Sequence, residues 1–349
     1  MVTLKEIAER CDVSATTVSN VINGKAKTSE ETKQRILQVI DETGYKPNEI
    51  ARGLRNKRSK IIGIVAEDIA QFTSPPIIES IMEYCEAKGY RAVVYNLRLY
   101  DRWSDTWYSR YDKYNSVVYP VLDDIMSAQV DGVVYVAGHA RVIKTFNDVY
   151  DIPVVMCYAY SESSRVPSVV IDDENSTYEM VSYLIKNGHE RIGFLGGQME
   201  NIHTGQRLMG YQRAMFENGL LFDPNLIYYG DWTRESGYKG AKELLKQNIT
   251  ALFSLSDRMT GGVYDYLYEK GLSIGKDISV ASFDNESISS FFRPQLTTME
   301  LPLREIGRIS AEQLLNKINH TEDNVDDKVE TDVIKVPCEL ILRDSVYVR

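Results

Sequence analysis

The chain is poor in the residues that carry covalent, redox and metal chemistry. It has 4 cysteines and 4 histidines in 349 residues. Cys11, Cys85, Cys157 and Cys338 are scattered with no CxxC pair, which argues against a disulfide framework or a thiolate metal site. His139, His189, His203 and His320 lack metal-ligand spacing, so no metal is expected. GxSxG, HExxH and P-loop signatures are missing, and Gly193-x-x-Gly196-Gly197 after a strand is too loose for a dinucleotide fingerprint. The expectation is therefore a protein that is not an enzyme and carries no cofactor. No stretch approaches the roughly 18 consecutive apolar residues that read as a membrane span. The chain opens on a charged helical pattern rather than an apolar leader. No membrane association is expected, and the cytoplasm is the expected location.

What is present is an ordinary globular composition with an uneven charge. Hydrophobic residues make up 43% and charged residues 26%, and the length fits two or three domains. The net charge is −10, yet residues 1–60 hold 12 Lys and Arg against 8 Asp and Glu, while the remainder holds 28 against 42. A basic head on an acidic body is the asymmetry of a small nucleic-acid module attached to a sensor.

The head reads as three short helices. Thr3 and Glu6 form a capping box before a helix carrying Ile7 and Ala8. Cys11-Asp12-Val13 makes a tight turn. Ser14 caps a second helix with Val18, Val21 and Ile22 as an inward stripe. Its other face, Ala15, Thr16, Thr17, Ser19 and Asn20, is small and polar, and Asn23-Gly24 stops it. Thr28-Ser29-Glu30-Glu31 opens a third helix, with Ile36, Leu37 and Ile40 expected inside and Gly44 at its end. Two helices joined by a three-residue turn, the second small and polar, read as a helix-turn-helix. Such a surface can enter the major groove, where hydroxyls and amides reach base edges and phosphates. The plain alternative is a three-helix bundle with a solvated polar face.

The order and spacing of Thr3-Leu4-Lys5-Glu6-Ile7-Ala8, Val13-Ser14-x-x-Thr17-Val18-Ser19-x-Val21-Ile22-Asn23 and Gly44-Tyr45-x-Pro47-Asn48-x-x-Ala51-Arg52-x-Leu54 resemble the headpiece of the lactose-repressor/galactose-repressor (LacI/GalR) family of bacterial regulators. The likeness continues to about residue 318. It implies an α plus α/β fold: an N-terminal helix-turn-helix headpiece, then a two-lobed type I periplasmic-binding-protein-like core of doubly wound parallel sheets. The expected boundaries are 1–46 for the headpiece, 47–59 for a hinge helix and linker, and 60–349 for an effector-binding and dimerisation core. Within the core, 60–160 and 292–320 are expected in the first lobe, 161–291 and 321–345 in the second. The resemblance also implies DNA contacts at Thr3, Ser14, Ala15, Thr16, Thr17, Ser19, Asn20, Asn23, Tyr45, Asn48, Ala51, Leu54 and Arg55, with Leu54 wedging into the minor groove.

The hinge stretch has its own logic. Ile50, Ala51 and Leu54 form one apolar face, but a helix of about eight residues is marginal alone, and Gly53 lowers its propensity by about 1 kcal/mol relative to Ala. It is expected to order only with a partner and DNA. From residue 60 the pattern alternates strand and helix: strands at 61–66, 90–96, 132–136, 153–158, 169–171, 192–196, 226–229, 251–255 and 278–283, with helices at 75–88, 117–127, 174–187, 205–218, 234–246 and 258–270. Continuous apolar strands between amphipathic helices mean parallel sheets covered on both faces. Residues 169–171 read as the start of a second series. The resemblance implies that 292–319 returns to the first lobe and 331–342 to the second.

Ligands bind beyond the carboxyl ends of such strands, and between lobes in two-lobed folds. The residues that follow strands are Glu67, Gln71 and Phe72; Cys157, Tyr158 and Tyr160; and Asp257 and Asp284. Arg207 stands at the head of the 205–218 helix. A neutral polyol needs a forked donor, fixed acceptors and an aromatic wall. Arg207 lies in the family's R-x-x-G-Y segment (Arg207-x-x-Gly210-Tyr211). Ser256-Asp257-Arg258-Met259 and Phe283-Asp284-Asn285 depart from the family's usual Asn-Asp-x-Met and Phe-Asp-Asp, and Cys157 replaces its usual Asp. The plain alternatives are helix capping for Asp257 and a salt bridge for Arg207. Residues 98–116, longer than the family's usual connection and rich in Trp, Tyr and Arg, are either a sugar platform or an extra surface element.

The reading that results is a ligand-responsive repressor of carbohydrate-utilisation genes. It binds a double-stranded pseudo-palindromic operator as a homodimer, with a sugar or oligosaccharide effector between the lobes. The alternatives are a regulator responding to a nucleobase or other non-sugar metabolite, and a transport solute-binding protein, which the headpiece disfavours.

Overall fold

A computed structural model describes residues 2–22, 24–25, 28–45, 58–103, 110–146, 152–320 and 333–349. They divide into two compact units, residues 1–60 and 61–349. The expected hinge contacts Asn48, Ala51, Leu54 and Arg55, and the cap Asn23, lie outside the described residues.

The first unit holds α1 (Leu4–Arg10), α2 (Ala15–Ile22) and α3 (Glu30–Thr43). The capping box forms as expected: the Glu6 amide donates to Thr3 Oγ1 at 3.3 Å and the Thr3 amide to Glu6 Oε2 at 2.8 Å. Ile7, Ala8, Cys11, Val18, Val21 and Ile36 make the core. Leu37, expected inside, is 47% exposed. One residue along a helix turns the side chain by about 100°, so Leu37 leaves the stripe that Ile36 occupies.

The second unit contains two six-stranded sheets. The first lobe's sheet is built from β1 (Ile61–Ala66), β2 (Arg91–Asn96), β3 (Gly132–Val136), β5 (Val154–Cys157), β7 (Ser168–Ile171) and β13 (Val333–Val336), in spatial order β13-β7-β5-β3-β1-β2 and parallel throughout. β4 (Val142–Ile143) and β6 (Tyr160–Ser161) pair as a small ribbon. The second lobe's sheet is built from β8 (Ile192–Gly196), β9 (Ile227–Tyr229), β10 (Ala251–Ser254), β11 (Ser279–Asp284), β12 (Thr297–Glu300) and β14 (Glu339–Ile341), in order β14-β12-β11-β10-β8-β9, with β14 antiparallel to β12.

Two expectations about the crossovers are corrected. The 168–171 strand joins the first sheet, between β5 and β13, rather than opening the second series; the chain changes lobe after it, at helix α7 (Asp173–Lys186). The 297–300 strand belongs to the second sheet, not the first lobe, while the following helix α11 (Leu303–His320) returns to the first. The tail is divided likewise, β13 in the first sheet and β14 in the second.

Alternation within the strands sends side chains to two different covers. In the first lobe, Ile62, Ile64 and Ala66 pack with Ile77 and Ile81 of α4 (Ser74–Ala87) and Leu314 of α11. Val65 packs on the other face with Tyr114, Val118 and Leu122 of α6 (Tyr111–Ser127). The aromatic stretch after β2 therefore supplies structure: α5 (Leu99–Trp103), then an amino-terminal extension of α6 that starts at Tyr111 instead of 117.

Candidate functional site: the cleft between the lobes and the helix-turn-helix face

On the second-lobe side, helix α8 (Ile202–Glu217) puts His203 and Arg207 on one face, four residues apart. Arg207 is 2% exposed. Its Nε donates to Asp173 Oδ1 at 2.7 Å, its Nη1 to the Leu255 carbonyl at 2.9 Å, and its guanidinium lies 3.6 Å above the Phe283 ring centroid. His203 shares the same carboxylate through Nδ1 at 2.7 Å. Its Nε2 faces the Ala140 amide at 3.2 Å. An amide can only donate, so the His203 proton sits on Nδ1. Burial alone would push the Asp173 carboxyl up; His203 and Arg207 overcome that and hold it below the ordinary value.

Asp257 and Asp284 have different fates. Asp257 opens α10 (Asp257–Glu269), where Ser256 is the cap. It is fully buried and accepts from the Glu286 amide at 2.7 Å and from the Thr298 hydroxyl at 3.2 Å. Burial pushes its carboxyl up to about 7, against the hydrogen bonds it receives. Through these bonds Asp257 braces the loop after β11, and it is not among the residues that line the cavity described below. Asp284 sits in the left-handed region, φ 112°, at the end of β11. Burial raises its carboxyl well above the usual range, opposed by Arg207.

On the first-lobe side, Glu67 is engaged by residues of its own lobe. It is fully buried, ion-paired to Arg141, and accepts from the Tyr135 hydroxyl and the Gly138 amide, both at 2.8 Å. Tyr114 of α6 donates to Tyr135 at 2.8 Å, so this network also ties the aromatic extension to the sheet. Gln71 and Phe72 lie half-buried on the loop before α4. Arg258 of the second lobe stands 5.5 Å from the Phe72 ring centroid, across the cleft. Tyr158 and Tyr160 also meet the second lobe. The Tyr158 ring is 5.3 Å from His203, and Tyr160 accepts from Gln206 Nε2 at 2.8 Å. A cavity of about 880 Å³ runs between the lobes; of the effector residues expected from sequence, Phe72 and Asp284 line it.

Sequence reasoning missed Asp173, His203, His139, Trp232 and Arg258. The four-residue spacing of His203 and Arg207 was a usable signal, and Trp232 lies just beyond β9, where the strand-end rule also points. Trp232 packs so tightly on Gly197 that a Cβ there would fall 2.0 Å from its ring. Its Nε1 is buried without a hydrogen-bond partner. Among the described residues no His, Cys, Asp and Glu cluster could hold a metal ion, and no helix is long and apolar enough to cross a membrane.

In the first unit Thr16 and Asn20 point outward from α2, with Ala15, Thr17 and Ser19 partly exposed. Ser14 Oγ is engaged as the cap, accepting from the Thr17 amide at 3.1 Å. Thr3 is exposed, and Tyr45 rests partly on the core of the unit.

A helix-turn-helix unit joined to a two-lobed binding core defines a DNA-binding regulator with an effector-binding domain. The profile described as "Bacterial regulatory proteins, lacI family" matches residues 3–48, and that of the "Periplasmic binding protein-like domain" matches residues 181–346. The chain is 30% identical to HTH-type transcriptional regulator RegA of Clostridium saccharobutylicum, over 91% of this chain and 93% of that one. It is 29% identical to catabolite control protein A of Priestia megaterium, over 99% of each. A lac repressor dimer crystallised with operator and the anti-inducer ONPF superposes with a TM-score of 0.77, at 25% identity over 99% of each chain. The chain belongs to the LacI family of bacterial regulatory proteins.

Proposed function

We propose that the chain is a ligand-controlled repressor of carbohydrate-utilisation genes, acting in the cytoplasm as a homodimer on a pseudo-palindromic operator. The observation that carries the ligand-controlled part is the cavity between lobes, bordered by Phe72 from one and Asp284 from the other. A ligand there touches both lobes and so can bias their arrangement. Arg207, behind Asp284, contributes the positive charge that opposes the burial of its carboxyl. The effector is a sugar or oligosaccharide.

On the DNA side, Ala15, Thr16 and Asn20 read base edges, and Thr17 and Ser19 reach phosphates; the exposure of Thr16 and Asn20 supports this. Dimerisation is supported by edge strand β2, where Val93 and Val94 are 41% and 38% exposed. An edge of this kind, left bare, is a liability that a second copy would cover. The lac repressor relative was crystallised as a dimer on operator.

The test is an operator shift. A binding site is selected from a random DNA pool, then titrated with the full chain at several salt concentrations with and without a panel of sugars. A protected two-half-site footprint, a steep salt dependence and a sugar that changes affinity are expected. Operator affinity that no sugar alters, but that adenine or guanine does, refutes the carbohydrate part alone.

A further inference from the structure

The aromatic connection after β2 also reaches the contact between the lobes. α5 (Leu99–Trp103) is only 5 residues long, too short to be stable alone. It is fixed from outside. The Leu99 amide donates to the Glu67 carbonyl at 2.9 Å, the Asp101 amide to Asp68 Oδ2 at 3.3 Å, and Arg102 Nε to the Leu97 carbonyl at 3.1 Å. Leu99 is fully buried in the first-lobe core. Between these ties stands Tyr100. A Cβ on Gly138 would come 2.6 Å from its hydroxyl and 2.7 Å from its ring, so the ring rests on the backbone of the loop after β3.

That loop, residues 138–141, divides its contacts between the lobes. The Gly138 amide donates to Glu67 Oε2 at 2.8 Å and Arg141 pairs with the same carboxylate, both within the first lobe. The two residues between them meet the second lobe. The His139 ring lies 6.3 Å from that of Trp232 and 22° off parallel, and the Ala140 amide donates to His203 Nε2 at 3.2 Å. His139 thus touches a ring of each lobe, Tyr100 at 5.9 Å and Trp232.

Trp232 is itself held at a cost. Its backbone is left-handed, φ 70°, a region that bulky side chains rarely adopt. Its buried Nε1 has no hydrogen-bond partner. Packing offsets both, on Gly197, where a Cβ would fall 2.0 Å from the ring, and on His139. A side chain sustained in this way responds to any shift of its neighbour.

We propose that Tyr100 is a positioning residue for the contact between the lobes. Its ring keeps the 138–141 loop forward, so that His139 meets Trp232 and the Ala140 amide reaches His203. Without the ring, the space over Gly138 opens, since glycine has no side chain to fill it. The loop then keeps its anchors at Glu67 and loses its hold on the second lobe. Any change in the arrangement of the lobes works against this prop, whatever the effector is, so the inference does not depend on the carbohydrate reading.

The experiment is amide hydrogen exchange on the full chain, read by mass spectrometry with fragmentation that separates Gly138 from Ala140. The first amide reports the loop's hold on its own lobe, the second its hold on the other. Tyr100→Leu is expected to speed exchange at Ala140 about tenfold or more and to leave Gly138 within about threefold of the parent. Tyr100→Phe keeps the ring and is expected to match the parent at both. Tyr100→Met serves if the leucine variant does not fold. Unchanged exchange at Ala140 overturns the inference. So does acceleration of both amides together, which makes Tyr100 a structural residue of the first lobe alone. A phenylalanine variant that behaves like the leucine one also overturns it, because the hydroxyl and not the ring then holds the loop.

Discussion

Arg207→Ala is expected to damage the core before it damages any ligand response. The side chain is 2% exposed and holds Asp173, the Leu255 carbonyl and the Phe283 ring. Its removal leaves the Asp173 carboxylate buried with the Nδ1–H of neutral His203 as its remaining side-chain donor. Breaking a buried pair in this way costs about 3–5 kcal/mol, since the surviving charge has lost its compensation. The retained His203 bond places the cost near the lower end, about 3 kcal/mol. Removing both charges is cheaper per group, so Arg207→Ala with Asp173→Ala is expected to cost less than the two single changes together by about 2 kcal/mol. All three tryptophans, Trp103, Trp107 and Trp232, lie in residues 61–349. Urea unfolding followed by tryptophan fluorescence therefore reports the core and not the headpiece. A single-variant loss below about 1 kcal/mol, or strictly additive losses, refutes the buried-pair reasoning. A test of ligand response at this position is cleaner with Arg207→Lys, which keeps the charge but loses the fork.

Asn20→Ala is expected to cost about 1–3 kcal/mol on operator and to relax the preference at one base pair; equal weakening on random DNA would count against base reading. Gly197→Ala drives a methyl into the Trp232 ring and is expected to cost about 1–3 kcal/mol while raising acrylamide quenching; an unchanged melting temperature would show that the ring is not packed there. Burial, then the charges of His203, Arg141, Arg207 and Arg258, push His139 down to about 3, so the folded chain keeps it neutral. Its contribution is therefore fully present above pH about 6.5, where the unfolded imidazole is also neutral, and is lost as pH falls, by up to about 1.4 kcal/mol per unit. The slope of stability between pH 6.5 and 4 is expected to flatten in His139→Gln, and identical slopes in the two proteins would reject the assignment.

The alternation of strand and helix was legible because each buried parallel strand is a continuous apolar run. The strands at 61–66, 132–136 and 192–196 have their expected limits. The crossovers were not legible, because nothing local distinguishes Ser168–Ile171 or Thr297–Glu300 from a neighbouring strand. The sheet each joins is decided by where α7 and α11 pack, a long-range matter. β13 and β14, reading Val-Ile-Lys-Val and Glu-Leu-Ile, are too short and mixed to show period. In the cleft, the strand-end rule pointed to Phe72 and Asp284, which line the cavity, but could not tell which acids were already engaged. Glu67 is held by Tyr135, Gly138 and Arg141, 68 to 74 residues away in sequence. No pattern inside a window of one helix or strand could have revealed that.

Those buried pairs bear on how a ligand could act at a distance. Asp173, His203 and Arg207 fix the second-lobe wall, and Glu67, Arg141 and Tyr135 fix the first. Each wall is rigid because opening it would strand a buried charge. What joins the walls is weaker: the Ala140 amide on His203, Gln206 on Tyr160, the rings of His139 and Trp232, and Arg258 over Phe72. Single contacts of these kinds contribute about 0.5–1.5 kcal/mol each. Allosteric coupling between sites is typically about 1–3 kcal/mol, which is the gain or loss of only a few such contacts. A ligand between Phe72 and Asp284 therefore need not deform either wall. It has only to favour one set of lobe-to-lobe contacts over another, and Arg258, which faces the cavity-lining ring of Phe72, is the contact beside it.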